Sequence, residues 1–226
     1  MPLPFSVEAL LDAIDGFAYV ADGAGIICGF SRGKNFAEPD AEPDDDSATH
    51  WHVGEVTGKN LFALIDGDAV RESYRTLHRA IWSGCRPSVG FEYRCDAPAI
   101  ERHMRMSLSL VRAGATPAAV LYQSTIITET PRLPLPLFAA DMLAHRRPNY
   151  SPEQIITLCS YCHSVAWPPG QAAAVPEWIE AAEFYRRGGP ADIGVSHSVC
   201  RPCYERIVLP SELSLRSAGG ACETRT

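Results

Sequence analysis

Cys159-Ser160-Tyr161-Cys162 and Cys200-Arg201-Pro202-Cys203 are two C-x-x-C pairs in a chain of 226 residues, with 37 residues between them. Each C-x-x-C places two thiolates on one tight turn, where they can form one edge of a metal site. Two such turns complete a tetrahedral set of four cysteines, the geometry zinc prefers. The spacer exceeds the usual about 15–20 residues. Pro176 to Arg187 (PEWIEAAEFYRR) accounts for the extra length as a compact helix, with Pro in its first turn and Gly188-Gly189 past its end. Trp178, Ile179, Ala182 and Tyr185 of that helix are expected to pack against the metal knuckles. So small a segment has little core of its own, so one structural Zn2+ per chain is expected to supply folding energy. His197, three residues before Cys200, is the alternative ligand or a hydrogen-bond partner of a thiolate.

Cys159-x-x-Cys162-His163 is also the string that attaches a c-type haem. That chemistry needs an exported chain and leaves Cys200 and Cys203 unexplained. Cys28, Cys85, Cys95 and Cys222 stand singly, and a lone Cys is more often a small apolar group than a reactive one. The start, Met1-Pro2-Leu3-Pro4-Phe5, lacks a basic and then apolar leader. A cytoplasmic, reducing compartment is expected, where paired C-x-x-C means metal rather than a bridge.

Other chemistries find little support. No H-E-x-x-H or P-loop is present, and four thiolates close a zinc coordination sphere, so no catalytic residues and no enzyme are expected. His145-Arg146-Arg147-Pro148 resembles a phospho-acceptor box, but the cysteine pairs follow it and no ATP-binding glycine motif does. No apolar run approaches the ~18 residues of a membrane span. The net charge is −7, which gives no general support for nucleic acid or an anionic membrane as partner. Arg186, Arg187, Arg201 and Arg206 carry the alternative of a transcriptional regulator binding nucleic acid through a zinc ribbon. Glu177, Glu180, Glu183 and Glu205 offset them.

The elements that must position these residues divide near 131–150, where Pro131, Pro134, Pro136 and Pro148 interrupt regular structure. Before that, Val7 to Ile14 reads as a short helix with Ser6 as N-cap, and Phe17 to Ala21 as a strand. Asp22 to Gly25 reads as a turn and Ile26 to Phe30 as the partner strand. Residues 37–50 (AEPDAEPDDDSATH) read as a solvated acidic loop. Gly58 to Ile65 forms a helical turn. Asp68 to Ser83 is a longer helix with Val70, Tyr74, Leu77, Ile81 and Trp82 at helical spacing. Three β-rich runs follow: Ser88 to Cys95, Arg102 to Val111, and Ala118 to Thr128, the last two joined by a hairpin at Ala113-Gly114-Ala115. The pattern predicts an α+β fold: an antiparallel five-stranded sheet with helices on one face, plus a small zinc-stabilised C-terminal module. The expected divisions are 1–130, a Pro-rich junction 131–152, the four-cysteine zinc-binding module 153–209 and a tail 210–226.

GFAYVADGAGIICGFS, GKNLFALIDGDAVRESYRTLHRAIWSG, FEYRC, RHMRMSLSLVR and AVLYQSTIITE, in that order, resemble a PAS domain over residues 6–130. The resemblance implies a small-molecule or redox sensor or a docking module, often homodimeric through its N-terminal helix. The ligand is not readable. For a haem-binding redox or gas sensor the candidate axial ligands are His78, expected on a surface turn of the long helix, and His103 on a strand. Leu61 stands where a LOV-type flavin domain needs its reactive cysteine. ITLCSYCH, the helix around Trp178 and Tyr185, and SHSVCRPC resemble a short cysteine module that follows PAS domains in bacterial signalling proteins, with His163-Ser164 in place of the usual basic pair. Together they imply a non-catalytic signal-transduction protein with a protein partner.

Overall fold

Ser6 opens the first helix, its hydroxyl accepting from the Ala9 amide at 3.2 Å. The computed structural model describes residues 6–31, 56–138, 155–168 and 176–218. The acidic loop, the His145 box and Cys222 lie outside them. Helix α1 (Val7–Asp12) buries Leu11 against Ala18 and Val20 of β1 (Phe17–Ala21) and Ala119. This explains why β1 is buried on both faces rather than alternating. The Asp22 carboxylate accepts from the Ala24 and Ile26 amides at 2.9 and 2.8 Å. That Asx turn feeds β2 (Ile27–Phe30). Gly25 in this turn has φ +82, and a Cβ there would lie 2.3 Å from the Phe62 ring.

Helices α2 (Leu61–Leu64) and α3 (Asp68–Trp82) precede three strands, β3 (Ser88–Arg94), β4 (Ile100–Ala113) and β5 (Thr116–Pro131). The five strands form one antiparallel sheet in the order β2-β1-β5-β4-β3. Its inner face carries Tyr19, Phe91, Met106, Leu108, Val120 and Tyr122, and Leu77 and Ile81 of α3 pack on it. The α3 residues Thr76, Leu77, His78, Ala80 and Ile81 are all buried. A stripe that broad means that α3 is covered on two sides; the second cover comes from the C-terminal segment.

That segment holds a four-stranded sheet in the order β8-β7-β6-β9, built from β6 (Ile155–Cys159), β7 (Val165–Trp167), β8 (Glu177–Ile179) and β9 (Gly194–Ser198). Strands β6 and β9 run parallel. The helix expected over Pro176 to Arg187 is a strand followed by a shorter helix, α4 (Ala181–Arg186). Glu177, Trp178 and Ile179 pair with Trp167, Ala166 and Val165 of β7. Sheet bonding therefore outcompetes helical propensity here, and the extended Glu180 (ψ 147°) caps α4. Ile179, Ala181 and Phe184 face a small core with Leu137, Phe138, Ile156, Leu158, Val165 and Ile193. Ala182 is exposed, so of the four residues expected on the knuckles only Trp178 packs against the cluster that contains the cysteines.

The described part of the Pro-rich junction is structural. The Arg132 and Leu135 amides donate to the carbonyls of Ala99 and Pro98 at 2.9 Å each, and a 3-10 turn buries Leu137 and Phe138. After Cys200, α5 (Arg201–Cys203), a π turn (Tyr204–Val208) and α6 (Leu209–Ala218) follow in direct succession. Pro210 has no N–H and its ring crowds the carbonyl four residues back. The wider turn relieves this, with the Leu209 amide reaching the Tyr204 carbonyl. The sequence expects a tail from 210; instead the helix continues over α3 and buries Ser211, which accepts from Arg86 at 3.2 Å.

Candidate metal centre

Parallel pairing of β6 and β9 brings the two cysteine pairs together. Cys159 ends β6 opposite Ser198, two residues before Cys200. The first pair sits on a tight knuckle. The Cys159 amide donates to the Ser164 carbonyl at 2.8 Å, the His163 amide to the Cys159 carbonyl at 2.9 Å, and the Ser160 amide to the Ser198 carbonyl at 3.0 Å. His163 closes it in the left-handed region, φ +58. The second pair opens a helix: Cys200 is the N-cap of α5, and the Tyr204 amide donates back to its carbonyl at 2.9 Å.

All four sulfurs lie within 4.8 Å of one another. Cys162 Sγ and Cys200 Sγ are 3.7 Å apart, and the Cys200 amide donates to Cys159 Sγ at 3.4 Å. Cys159, Cys200 and Cys203 are buried, and Cys162 is half-buried. Crowding splits the four thiols. The close approach of the Cys159 and Cys203 thiols pulls Cys162 down, while burial pushes Cys200 up to about 12. A divalent cation at the centre reverses that second effect, because a coordinating thiol is deprotonated. The donor set therefore fits a metal ion, held by Cys159, Cys162, Cys200 and Cys203.

The histidines fall elsewhere. His197 Nδ1 lies 3.4 Å from Ser160 Oγ, behind the knuckle, and burial lowers its pKa. The ring of His163 stacks on Phe138 at 5.1 Å, with Nδ1 3.5 Å from Asp96 Oδ2. His78 is not on a surface turn: it is 1% exposed, because it faces the five-stranded sheet and α2 rather than water. Its Nδ1 lies 2.8 Å from Tyr122 Oη, and Phe62, Trp82 and Tyr122 pack around the ring. Burial lowers its pKa, which keeps it neutral at pH 7. His103 stands half-exposed beside a β-bulge, its Nε2 3.0 Å from Glu101 Oε1.

Two groups that sequence reasoning missed dock the knuckle on the five-stranded sheet. Tyr161, between the two ligands of the first pair, is 1% exposed. Its carbonyl accepts from the Arg94 amide at 2.7 Å. Its ring meets Phe91 edge-on at 5.3 Å and stacks on Tyr74 at 6.1 Å. Its hydroxyl lies 2.8 Å from Ser73 Oγ, and Ser73 donates its own proton to the Val70 carbonyl at 2.7 Å. Tyr161 is therefore the donor, and burial holds its pKa far above the ordinary value.

The second group is Asp96, whose side chain has no exposed area. Arg94 donates to it twice, at 2.9 and 2.6 Å, Arg132 at 2.9 Å and the Arg102 amide at 3.1 Å. Burial alone would raise its pKa. The Arg94 hydrogen bonds and the nearby His163 ring outweigh that and hold the carboxyl below the usual range. One carboxylate thus joins the β3–β4 hairpin, the end of β5 and the metal knuckle. Gly67, at the start of α3, makes a third contact. It has φ +81, and a Cβ there would lie 2.4 Å from the His197 carbonyl oxygen of β9.

No family model and no curated protein matches the chain. Among solved structures, a C-terminal domain from Streptococcus mutans is similar over 56% of this chain and 92% of that one, at 12% identity and a TM-score of 0.39. No helix among the described residues is long and apolar enough to cross a membrane.

Proposed function

We propose that this chain is a non-catalytic signal-transduction protein: a PAS-like sensing or docking domain coupled to a zinc-stabilised four-cysteine module that contacts a protein partner in the cytoplasm. The observation that carries the reading is the seating of the knuckle. Tyr161 and His163 flank the candidate ligand Cys162, and both meet the five-stranded sheet, Tyr161 by accepting from the Arg94 amide and His163 by its 3.5 Å approach to Asp96. A change at the sheet and a change at the metal therefore bear on each other through two short connections.

Zinc is favoured by the donors. Four sulfurs with no oxygen or nitrogen donor among them suit zinc. A Zn–S bond of about 2.3 Å requires tetrahedral S···S edges of about 3.8 Å, close to the 3.7 Å between Cys162 and Cys200. Four protein ligands leave no open position for a reacting water, which supports a structural rather than a catalytic ion. The antiparallel five-stranded sheet with α3 against its inner face supports the PAS-like reading. Val7 and Leu10 of α1, each 51% exposed, support a homodimer through the N-terminal helix. Around the module Arg187 pairs with Glu177 and Glu183, and Arg201 with Glu205. This favours a protein partner over nucleic acid.

Metal analysis of the full chain purified without added metal is expected to give about one zinc per chain. Amide exchange before and after chelation should then report loss of protection in residues 91–96 as well as 159–163. Folded, metal-free protein sinks the metal reading. Zinc-loaded protein whose sheet ignores chelation sinks the coupling.

A further inference from the structure

Three of the four candidate ligands are closed off from solvent and one is not, and the accessible one stands between the two residues, Tyr161 and His163, that contact the sheet. We infer that Cys162 is an oxidant-sensing ligand: peroxide oxidises it and joins it to Cys200 as a disulfide, which releases the metal and frees the knuckle from the sheet. This rests on the metal reading above and names the signal that the site would take.

The choice of Cys162 follows from access and contact. Cys159, Cys200 and Cys203 are buried, whereas Cys162 is half-buried. Oxidation of a cysteine requires both thiolate character and exposure, and a metal ligand is a thiolate. The Cys159 sulfur is also engaged by the Cys200 amide at 3.4 Å. Cys200 is the resolving partner because its sulfur already touches that of Cys162 at 3.7 Å. Closing to a disulfide of about 2.0 Å needs an approach of under about 2 Å.

The chemistry balances in two steps. The Cys162 thiolate attacks one oxygen of hydrogen peroxide. An S–O bond forms, the O–O bond breaks, and hydroxide leaves and takes a proton to become water. The Cys162 sulfur is oxidised by two electrons to a sulfenic acid and the peroxide is reduced. The Cys200 thiolate then attacks the Cys162 sulfur; the S–S bond forms, the S–O bond breaks, and the departing hydroxide takes a second proton. In sum, two thiolates, one peroxide and two protons give one disulfide and two waters. Two of the four metal donors are consumed, so the remaining pair no longer makes a closed site.

The consequence follows from the neighbours of Cys162. Tyr161 is inserted between Phe91, Tyr74 and Ser73, and His163 faces Asp96. Pulling the intervening residue toward Cys200 strains both anchors at once. The oxidation is thereby read at the sheet and not only at the metal.

The test uses wild-type full chain with its metal content measured first. Limiting hydrogen peroxide is added, metal release is followed with a chromogenic chelator, and disulfides are mapped by mass spectrometry. One metal ion released per Cys162–Cys200 disulfide is expected, with exchange protection lost at residues 73–74 and 91–96. Dimedone present during oxidation is expected to tag Cys162 before the other three ligands. Cys28, which is exposed, and Cys85, which is half-buried, serve as internal controls that are not expected to pair. Folded protein without metal at the start overturns the metal reading and this inference with it. Metal-loaded protein that forms Cys159–Cys162 or Cys200–Cys203 instead, or keeps its metal while Cys28 oxidises, overturns this inference alone.

Discussion

The two sheets are stabilised by different means. The five-stranded sheet has a continuous inner face in which Tyr19, Tyr122, Phe91, Met106 and Leu108 meet Leu77 and Ile81 of α3. The four-stranded sheet has only the small core around Phe184, Ile156 and Phe138, and two of its strands are three residues long. Its cysteine end does not belong to that small core. Cys159, Tyr161, Cys200, Cys203, Ile207 and Val208 lie in the same apolar cluster as the inner face of the large sheet. The C-terminal segment thus has a self-packed end and a cysteine end that closes the core of its neighbour. Its independence is therefore a question about the metal.

The largest test of that contrast is Cys200→Ser. Loss of one ligand is expected to abolish metal binding, and structural zinc sites contribute apparent energies on the order of 10 kcal/mol or more. Exchange protection should vanish over 155–163 and 194–208 while the ladder of β1, β5 and β4 persists. The inner face at Phe91 and Ser73 is expected to open with the knuckle. If exchange rises uniformly through both sheets, the two regions form one cooperative unit and the contrast between them fails.

Asp96→Ala comes next. It leaves Arg94 and Arg132, which are 11% and 15% exposed at the side chain, without their shared carboxylate. Breaking such a buried set costs about 3–5 kcal/mol. Its pH dependence has a definite sign. The folded-state pKa of Asp96 lies below its unfolded value. Its contribution is therefore fully present above the unfolded carboxyl range of about 4 and is lost as pH falls through the folded value. The difference in unfolding free energy between wild type and Asp96→Asn, measured from pH 7 downward, should shrink below about pH 4. A difference that grows on acidification would mean that the carboxyl is not ionised in the folded protein.

The same contrast explains what the sequence disclosed. Periodicity and turn chemistry place the first sheet almost residue by residue: Ser6 caps α1, α3 runs Asp68–Trp82, and β3 begins at Ser88. These signals are local, and three of the four ladders join consecutive strands, β1–β5 being the long-range one. The four clustered cysteines are legible too, since C-x-x-C carries its own geometry. The features that sequence misses are those fixed at long range. Residues 176–179 read as helix because nothing nearby reveals that β7 is waiting for a partner. His78 reads as exposed because the groups that bury it, Phe62 of α2 and Tyr122 of β5, are not its helical neighbours. Asp96, Arg132 and His163 have no shared spacing, so their meeting is set only by how the two sheets dock. Tyr161 carries one available signal: an aromatic between two metal ligands needs somewhere to go.

Tyr161→Phe gives the smallest effect and the finest discrimination. The ring stays between Phe91 and Tyr74, and the carbonyl still accepts from Arg94, so only the hydrogen bond to Ser73 is lost. Ser73 keeps its own donation to Val70, so no buried donor is stranded. A net cost of about 1 kcal/mol is expected, the ordinary value for one hydrogen bond. The useful measurement is that cost taken twice, with the metal bound and with it removed. If the knuckle holds Tyr161 in place only while its ligands are metal-bound, the penalty exists in the loaded protein and disappears in the stripped one. An equal penalty in both states would place the docking of Tyr161 under the control of the apolar core. The metal would then staple its own segment and have no bearing on the sheet.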